Sequence, residues 1–399
     1  MLVYICQVLG DHKYFERKFY KSDMELFLGL GIIIICCLVI WRASNGFDIA
    51  SVYLGRNLSD GVRGATINAI GSSMPELFTT MFFLFAAGEV DKFSGGIATT
   101  AGSAIFNAMI IPAIIILAVL GAGLTNRIEV SKKVILRDGL SLIVAELILL
   151  YLISGTTLYW WHGLVLMLSY VVYVFVLLKS MKSSKKGKDT EAKDEEYYEN
   201  TGDSNLLIDF ITFDWTNIIV KKRINKSSAW LLLICSMLVI GAACFFLVHS
   251  CETVAHSLGI NTYFVAVILA SAATSVPDTI LSYKDAKAGE YDDALSNAIG
   301  SNIFDVCFAL GFPLFLYTMM YGPIGMSLDI VDDIAELRIT LLALTVFAFL
   351  VFYIGRYMGR IKAVMLIIAY LFFTTFIISK AMEMEWAIKL GDTLRLIYW

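Results

Sequence analysis

Two short segments carry residue types that can do chemistry together. Gly71-Ser72-Ser73-Met74-Pro75-Glu76 in the first half is matched by Ala273-Thr274-Ser275-Val276-Pro277-Asp278 in the second. A second pair follows in the same order, Gly102-Ser103-Ala104-Ile105-Phe106-Asn107 and Gly300-Ser301-Asn302-Ile303-Phe304-Asp305. Proline inside a helix removes the hydrogen bond to the carbonyl four residues earlier. Pro75 and Pro277 therefore free the carbonyls of Gly71 and Ala273 and loosen those of Ser72 and Thr274. Glu76 and Asp278 project carboxylates at the same level, and Ser72, Ser73, Thr274 and Ser275 add hydroxyls. Asn107 and Asp305 lie one helical turn beyond Ser103 and Ser301 and share their faces. The sum is an all-oxygen donor set with three carboxylates. Ca²⁺ takes about six to eight such oxygens in flexible geometry. No His or Cys is placed to suit a softer metal.

The elements that must position these groups are membrane helices. Of 399 residues, 58% are hydrophobic and 17% charged, with a mean hydropathy of +0.74. A soluble domain carries about 25% charged residues. Long apolar runs recur, each able to cross a ~30 Å hydrocarbon core. The pattern predicts an all-α integral membrane protein with ten spans, near 24–41, 62–86, 95–120, 138–154, 158–178, 229–248, 260–284, 294–320, 334–354 and 362–381. The apolar first ten residues are short for a signal sequence and lack a basic start, so they are expected to be retained. A carboxylate at the bilayer centre costs at least ~2.5 kcal/mol, so two proline-flanked ones at matching depth need a polar purpose. An unpaired carbonyl at that depth is tolerated only where it lines a cavity.

A charged low-complexity stretch, 180–228, separates five spans in 1–179 from five in 229–399. Its composition is that of a solvated linker, and LLIDFITFDW within it is a candidate for the membrane interface. Five is odd, so the second half enters from the opposite face, and any likeness between halves is an inverted repeat. With the linker cytoplasmic, 22 of the 31 Lys and Arg fall inside, as the positive-inside rule asks. Both termini then lie outside, and the four basic residues of the N-terminal tail run against the rule.

The four motifs resemble the two alpha repeats of the sodium/calcium exchanger superfamily, over 62–120 and 260–320. The resemblance implies two inverted five-helix repeats and an antiporter that exchanges Ca²⁺ for Na⁺ by alternating access. It implies Glu76 and Asp278 as central ligands, Asn107, Asp305, Ser103 and Ser301 beside them, and Ser72, Thr274 and nearby carbonyls completing the site. Pro-Glu with GSA-x-FN, and Pro-Asp with SNIFD, look most like the potassium-dependent branch, which adds K⁺ as a co-substrate. Ala104 departs from the Asn that many first repeats carry. No cofactor and no nucleic acid is expected, no protein partner is deducible, and the implied location is the plasma membrane. A Ca²⁺/H⁺ antiporter is the main alternative, since carboxylates also bind protons. An intramembrane enzyme with paired carboxylates is the alternative from another class, but symmetric prolines and the lack of a GxGD motif argue against it. A channel is disfavoured by a closed carboxylate site between repeats.

Other residues are set aside. Glu146 sits mid-span, as a proton-linked group or as the partner of a base such as Arg42. Asp48, and Asp60 with Arg63, read as interfacial charges. Asp329, Asp332, Asp333 and Glu336 read as a solvated face that can attract cations, and the tail EMEWAIKLGDTLRLIYW as a membrane-surface helix. Cys36, Cys37, Cys235, Cys244 and Cys307 fall in apolar spans as buried thiols. Cys6 and Cys251 fall on the outer side as candidates for a disulfide.

Overall fold

A computed structural model describes residues 2–54, 69–86, 93–125, 127–184, 215–220, 223–355 and 357–398, without the side chains of 2–22, 69, 180–184 and 397–398. In the first half the order is α1 (Leu2–Leu54), α2 (Ala69–Ser72), α3 (Met74–Phe85), α4 (Phe93–Gly121), β1 (Ile128–Glu129), α5 (Lys132–Leu152), β2 (Thr157–Leu158) and α6 (Trp160–Ser184). A short α7 (Trp215–Ile219) precedes α8 (Lys226–Leu258), α9 (Thr262–Val265), α10 (Ser271–Thr274) and α11 (Val276–Lys287). The chain ends with α12 (Tyr291–Phe304), α13 (Leu310–Tyr321), β3 (Ile324–Gly325), α14 (Leu328–Tyr353), β4 (Tyr357–Met358), α15 (Arg360–Ala381) and α16 (Glu385–Tyr398). Five-residue π-helical turns, Ala266–Ala270 and Asp305–Ala309, join α9 to α10 and α12 to α13.

This is an all-helical integral membrane protein. Eight described helical stretches are long and apolar enough to cross a bilayer. The exceptions among the expected spans have local causes. The helix around Glu76 is interrupted, leaving α3 too short by itself, and α5 carries Lys132, Lys133, Arg137, Asp138 and Glu146. Apolar residues on the outside of the bundle, such as Leu238, Phe175 and Ile361, are exposed. In water they would be a liability, whereas in lipid they are the solvent-facing surface.

The halves repeat one order: helix, broken helix, long helix, strand, helix, strand, helix. Their contacts repeat too. The hairpin α3–α4 matches α11–α12, and the α4–α15 packing matches α13–α6, while α1 packs along α8 and α5 along α14. The strands cross between halves: β1 pairs antiparallel with β4, and β2 with β3. Exchanging the halves turns one ribbon into the other.

Several expectations are corrected. The first helix runs on to Leu54, well past residue 41. The α8 helix is capped by the Asn225 side chain and ends only at Gly259, whose φ of 68° suits glycine. Cys251 is therefore a fully buried, free thiol inside α8 and not a disulfide half on an outer loop. The Cys6 side chain lies outside the described residues, as does LLIDFITFDW apart from Trp215. The acidic cluster is not simply a solvated face. Glu336 is buried and pairs with Lys380 and with Arg395 Nε at 3.1 Å. Asp333 holds Lys380 at 2.8 Å and Asp332 holds Arg395 at 2.5 Å. Through Arg395, the tail helix α16 is tied to α14 as well as presenting an apolar face. Among the described residues Glu146 pairs with neither Arg42 nor any other base; the Thr345 hydroxyl donates to its Oε1 at 2.7 Å, and Arg42 stacks over Trp41.

Candidate cation site

Both proline motifs break their helices at the same place. Ser73, two residues before Pro75, has φ −94° and ψ 9°, and Ser275, two before Pro277, has φ −77° and ψ −1°. Each proline sits in the first turn of the helix that restarts, where its missing N–H costs little. The break brings Glu76 and Asp278 inward at the first turn of α3 and α11. There each carboxylate faces the N-terminal, positive end of its own half-helix.

The structure brings the expected residues together. Glu76, Asp278 and Asp305 are completely buried, and one oxygen from each lies within 4.8 Å of the others. Ser103 Oγ donates to Glu76 Oε1 at 2.9 Å and meets Ser275 Oγ at 2.8 Å. Asn107 Nδ2 donates to Asp278 Oδ2 at 2.9 Å. Both of the last two contacts join one half of the chain to the other. Ser301 and Thr274 give their hydroxyl hydrogens to the carbonyls of Asn297 and Ser271, so their oxygens keep lone pairs for another donor. Gly71, Ser72 and Ala273 are buried at the break, where the prolines leave carbonyls without the usual helix partner.

What the protein leaves unmatched defines the site. Glu76 Oε2, Asp278 Oδ1, both oxygens of Asp305, Asn107 Oδ1 and Ser73 Oγ are buried without a protein partner. Each such oxygen costs about 1–3 kcal/mol, more when charged. No Lys or Arg forms an ion pair with any of the three carboxylates among the described residues. A cluster of this kind is offset by cations or protons held among the oxygens, and all the donors are hard. Oxygen ligation of a divalent or alkali cation fits this donor set; a soft metal does not.

Three features were not found by reading motifs. Asn302 donates through Nδ2 to the carbonyl of Ala104 at 2.8 Å, joining two equivalent motif positions across the halves. Its place in GSNIFD beside GSAIFN was the available signal. The π turn starting at Asp305 had none. Nor did the closeness of α4 to Ala266–Ala270, where a Cβ on Gly102 would lie 2.2 Å from the Val267 carbonyl oxygen. Both sides of that contact are backbone, so neither can swing aside. Gly102→Ala is expected to push the two helices apart at a cost of about 3 kcal/mol, lowering the melting temperature of purified protein in detergent and the yield of monodisperse material. An unchanged melting curve would show that this crossing has slack.

Comparison with known proteins now bears on this geometry. The profile of the family described as "Sodium/calcium exchanger protein" matches residues 28–179 and 228–379, more than half of the chain. The chain belongs to this family. The two matched stretches are separated by residues 180–227, and each contains one proline motif and one GS motif. Human sodium/potassium/calcium exchanger 5 is 28% identical over 340 residues, which are 68% of this chain and 65% of that protein. Rat sodium/potassium/calcium exchanger 3 is 34% identical over 121 residues, 30% of this chain and 18% of the relative. This chain thus spans less than two thirds of the length of those relatives. In fold it is similar to the H⁺/Ca²⁺ exchanger CAX, with a TM-score of 0.56 at 15% identity, covering 94% of this chain and 92% of the other. It is also similar to the sodium-calcium exchanger NCX_Mj, with a TM-score of 0.53 at 21% identity, covering 87% and 97%.

Proposed function

We propose that the protein is a secondary antiporter that exchanges Ca²⁺ for Na⁺ by alternating access, with K⁺ as a co-transported ion. The observation that carries this reading is the buried cluster of Glu76, Asp278 and Asp305, with unmatched oxygens and no protein cation among the described residues. The proposed ligands are Glu76, Asp278, Asp305 and Asn107, the hydroxyls of Ser72, Ser73, Thr274, Ser275, Ser103 and Ser301, and the carbonyls of Gly71 and Ala273. The human and rat relatives named as sodium/potassium/calcium exchangers support the choice of ions. The ten spans are α1, α2–α3, α4, α5, α6, α8, α9–α11, α12–α13, α14 and α15, arranged as inverted repeats in 1–179 and 229–399 around the linker 180–228.

Ribbon pairing supports this count. β1 and β4 can meet only if an even number of crossings separates them, and the proposed spans give six. Removing the charged α5 from the list would put β1 and β4 on opposite faces. The linker is assigned to the cytoplasm and both termini to the outside of the plasma membrane, on the distribution of Lys and Arg.

The test is ⁴⁵Ca²⁺ uptake into proteoliposomes under Na⁺, K⁺ and H⁺ gradients imposed separately. Uptake driven by an outward Na⁺ gradient is expected, and uptake that follows only the H⁺ gradient would replace Na⁺ by H⁺. Absence of ⁴⁵Ca²⁺ movement under every gradient would overturn the reading.

A further inference from the structure

The two halves share their motifs and helix pairings, but one passage differs between them. Where α8 passes the break in α2–α3 the contact is closed: Cys244 Sγ lies 3.7 Å from the Pro75 carbonyl, and Phe82 packs edge-on against Phe245 at 5.5 Å. Among the described residues, the corresponding passage of α1 past α11 is open. A narrow cleft with a free volume of about 30 Å³ lies there, bounded by α1, α2 and α11. Its inner end reaches Gly71, Ser72 and Pro277 of the cation site, and its α1 wall carries Ser44, Asn45 and Asp48. Lys284 also lines it, and its Nζ donates to Asn45 Oδ1 at 2.9 Å, so one ammonium bridges α11 to α1 across the cleft.

We propose that Lys284 is a tethered cation in the route from one membrane face to the site, and that it biases this route toward monovalent ions. The inference rests on the exchange reading above. Under the proposed spans the cleft opens on the linker's face. The fixed ammonium repels each entering ion in proportion to its charge. Ca²⁺ is repelled with twice the energy that Na⁺ is, so a factor in Na⁺ affinity becomes its square in Ca²⁺ affinity. Asn45 holds the ammonium in the cleft; without that bond a lysine this exposed would swing into solvent.

The experiment uses full-length protein in proteoliposomes of known orientation, with apparent Ca²⁺ and Na⁺ affinities measured separately from each face. Lys284→Gln is expected to tighten Ca²⁺ about fourfold and Na⁺ about twofold at the linker face, leaving the opposite face and the maximal rate unchanged. Lys284→Arg, which keeps the charge, is expected to behave as the unmutated protein. Asn45→Asp neutralises the ammonium without removing it and is expected to reproduce the Ca²⁺ gain, which keeps the idea testable if Lys284→Gln folds poorly. Equal factors for Ca²⁺ and Na⁺, equal changes at both faces, or Lys284→Arg matching Lys284→Gln would each overturn the lysine's role while exchange itself stands. Unmutated protein that moves no Ca²⁺ overturns the exchange reading and this inference with it.

Discussion

Glu76→Gln, or separately Asp278→Asn, is expected to abolish Na⁺-driven Ca²⁺ uptake while leaving a folded and more heat-resistant protein. Each change keeps the side chain's size and removes one formal charge from the cluster. Removing one partner of a buried ionic contact costs ~3–5 kcal/mol. Applied to a bound Ca²⁺, that is a loss of affinity of a hundredfold or more. In the ion-free protein the sign reverses. Glu76 Oε2 and Asp278 Oδ1 are buried without partners, and three carboxylates stand together with no protein cation among the described residues. Converting one to an amide relieves their mutual repulsion, so the melting temperature in Ca²⁺-free, Na⁺-free buffer should rise. Added Ca²⁺ should then stabilise the unmutated protein and neither variant. The measurements are ⁴⁵Ca²⁺ uptake and thermal melts with and without Ca²⁺. Uptake within threefold of normal in either variant would remove that residue from the ligand set.

Asp305→Asn is expected to uncouple transport from K⁺. The three carboxylates carry three negative charges, and Ca²⁺ supplies two positive ones. An unbalanced charge at zero exposure costs several kcal/mol. Both oxygens of Asp305 lack protein partners, whereas Glu76 and Asp278 each have one oxygen engaged by Ser103 or Asn107. Asp305 is thus the carboxylate with most room for a second ion. K⁺ beside it would neutralise the Ca²⁺-loaded state, and several Na⁺ would neutralise the exchanged state. Na⁺-driven Ca²⁺ uptake by the unmutated protein should increase several-fold when K⁺ accompanies Ca²⁺. The Asp305→Asn variant should retain some uptake and lose the increase. Indifference of the unmutated protein to K⁺ would leave a proton to balance Asp305.

Much of the candidate site was legible because the chemistry repeats. Proline beside a carboxylate at membrane depth has few uses, and two copies in register mark a shared purpose. The structure places Glu76, Asp278, Asp305, Asn107, Ser103 and Ser275 in one cluster, as those motifs imply. Span limits were less legible, because hydropathy records where lipid begins and not where a helix stops. The α1 helix continues through the half-buried, polar-flecked Ser44–Ser51, and α8 continues past His249 and Glu252 to a glycine cap. Ion pairs between distant helices gave no local pattern. Lys380 and Arg395 are far from Glu336 along the chain, so an acidic run that looked solvated turned out to be clasped. The Lys284–Asn45 bridge was hidden for the same reason: it joins α11 to α1 through side chains that look like ordinary surface polarity.

The crossed ribbons bear on how the chain is made. Each strand in the first half has its partner in the second, and the Ser103–Ser275, Asn107–Asp278 and Asn302–Ala104 contacts also wait for the second half. At a synthesis rate of ~5–20 residues per second, residues 229–399 take roughly 9–34 s to emerge. Throughout that interval the membrane helices of the first half are an unfinished protein, with Glu76 and Asn107 lacking their final neighbours. The nascent half must therefore be sheltered, by insertion machinery or by water and ions drawn to Glu76, until its counterpart arrives. A ribosome stalled at the linker should hold a species that chaperones and proteases recognise as incomplete, and supplying residues 229–399 as a separate polypeptide should rescue it.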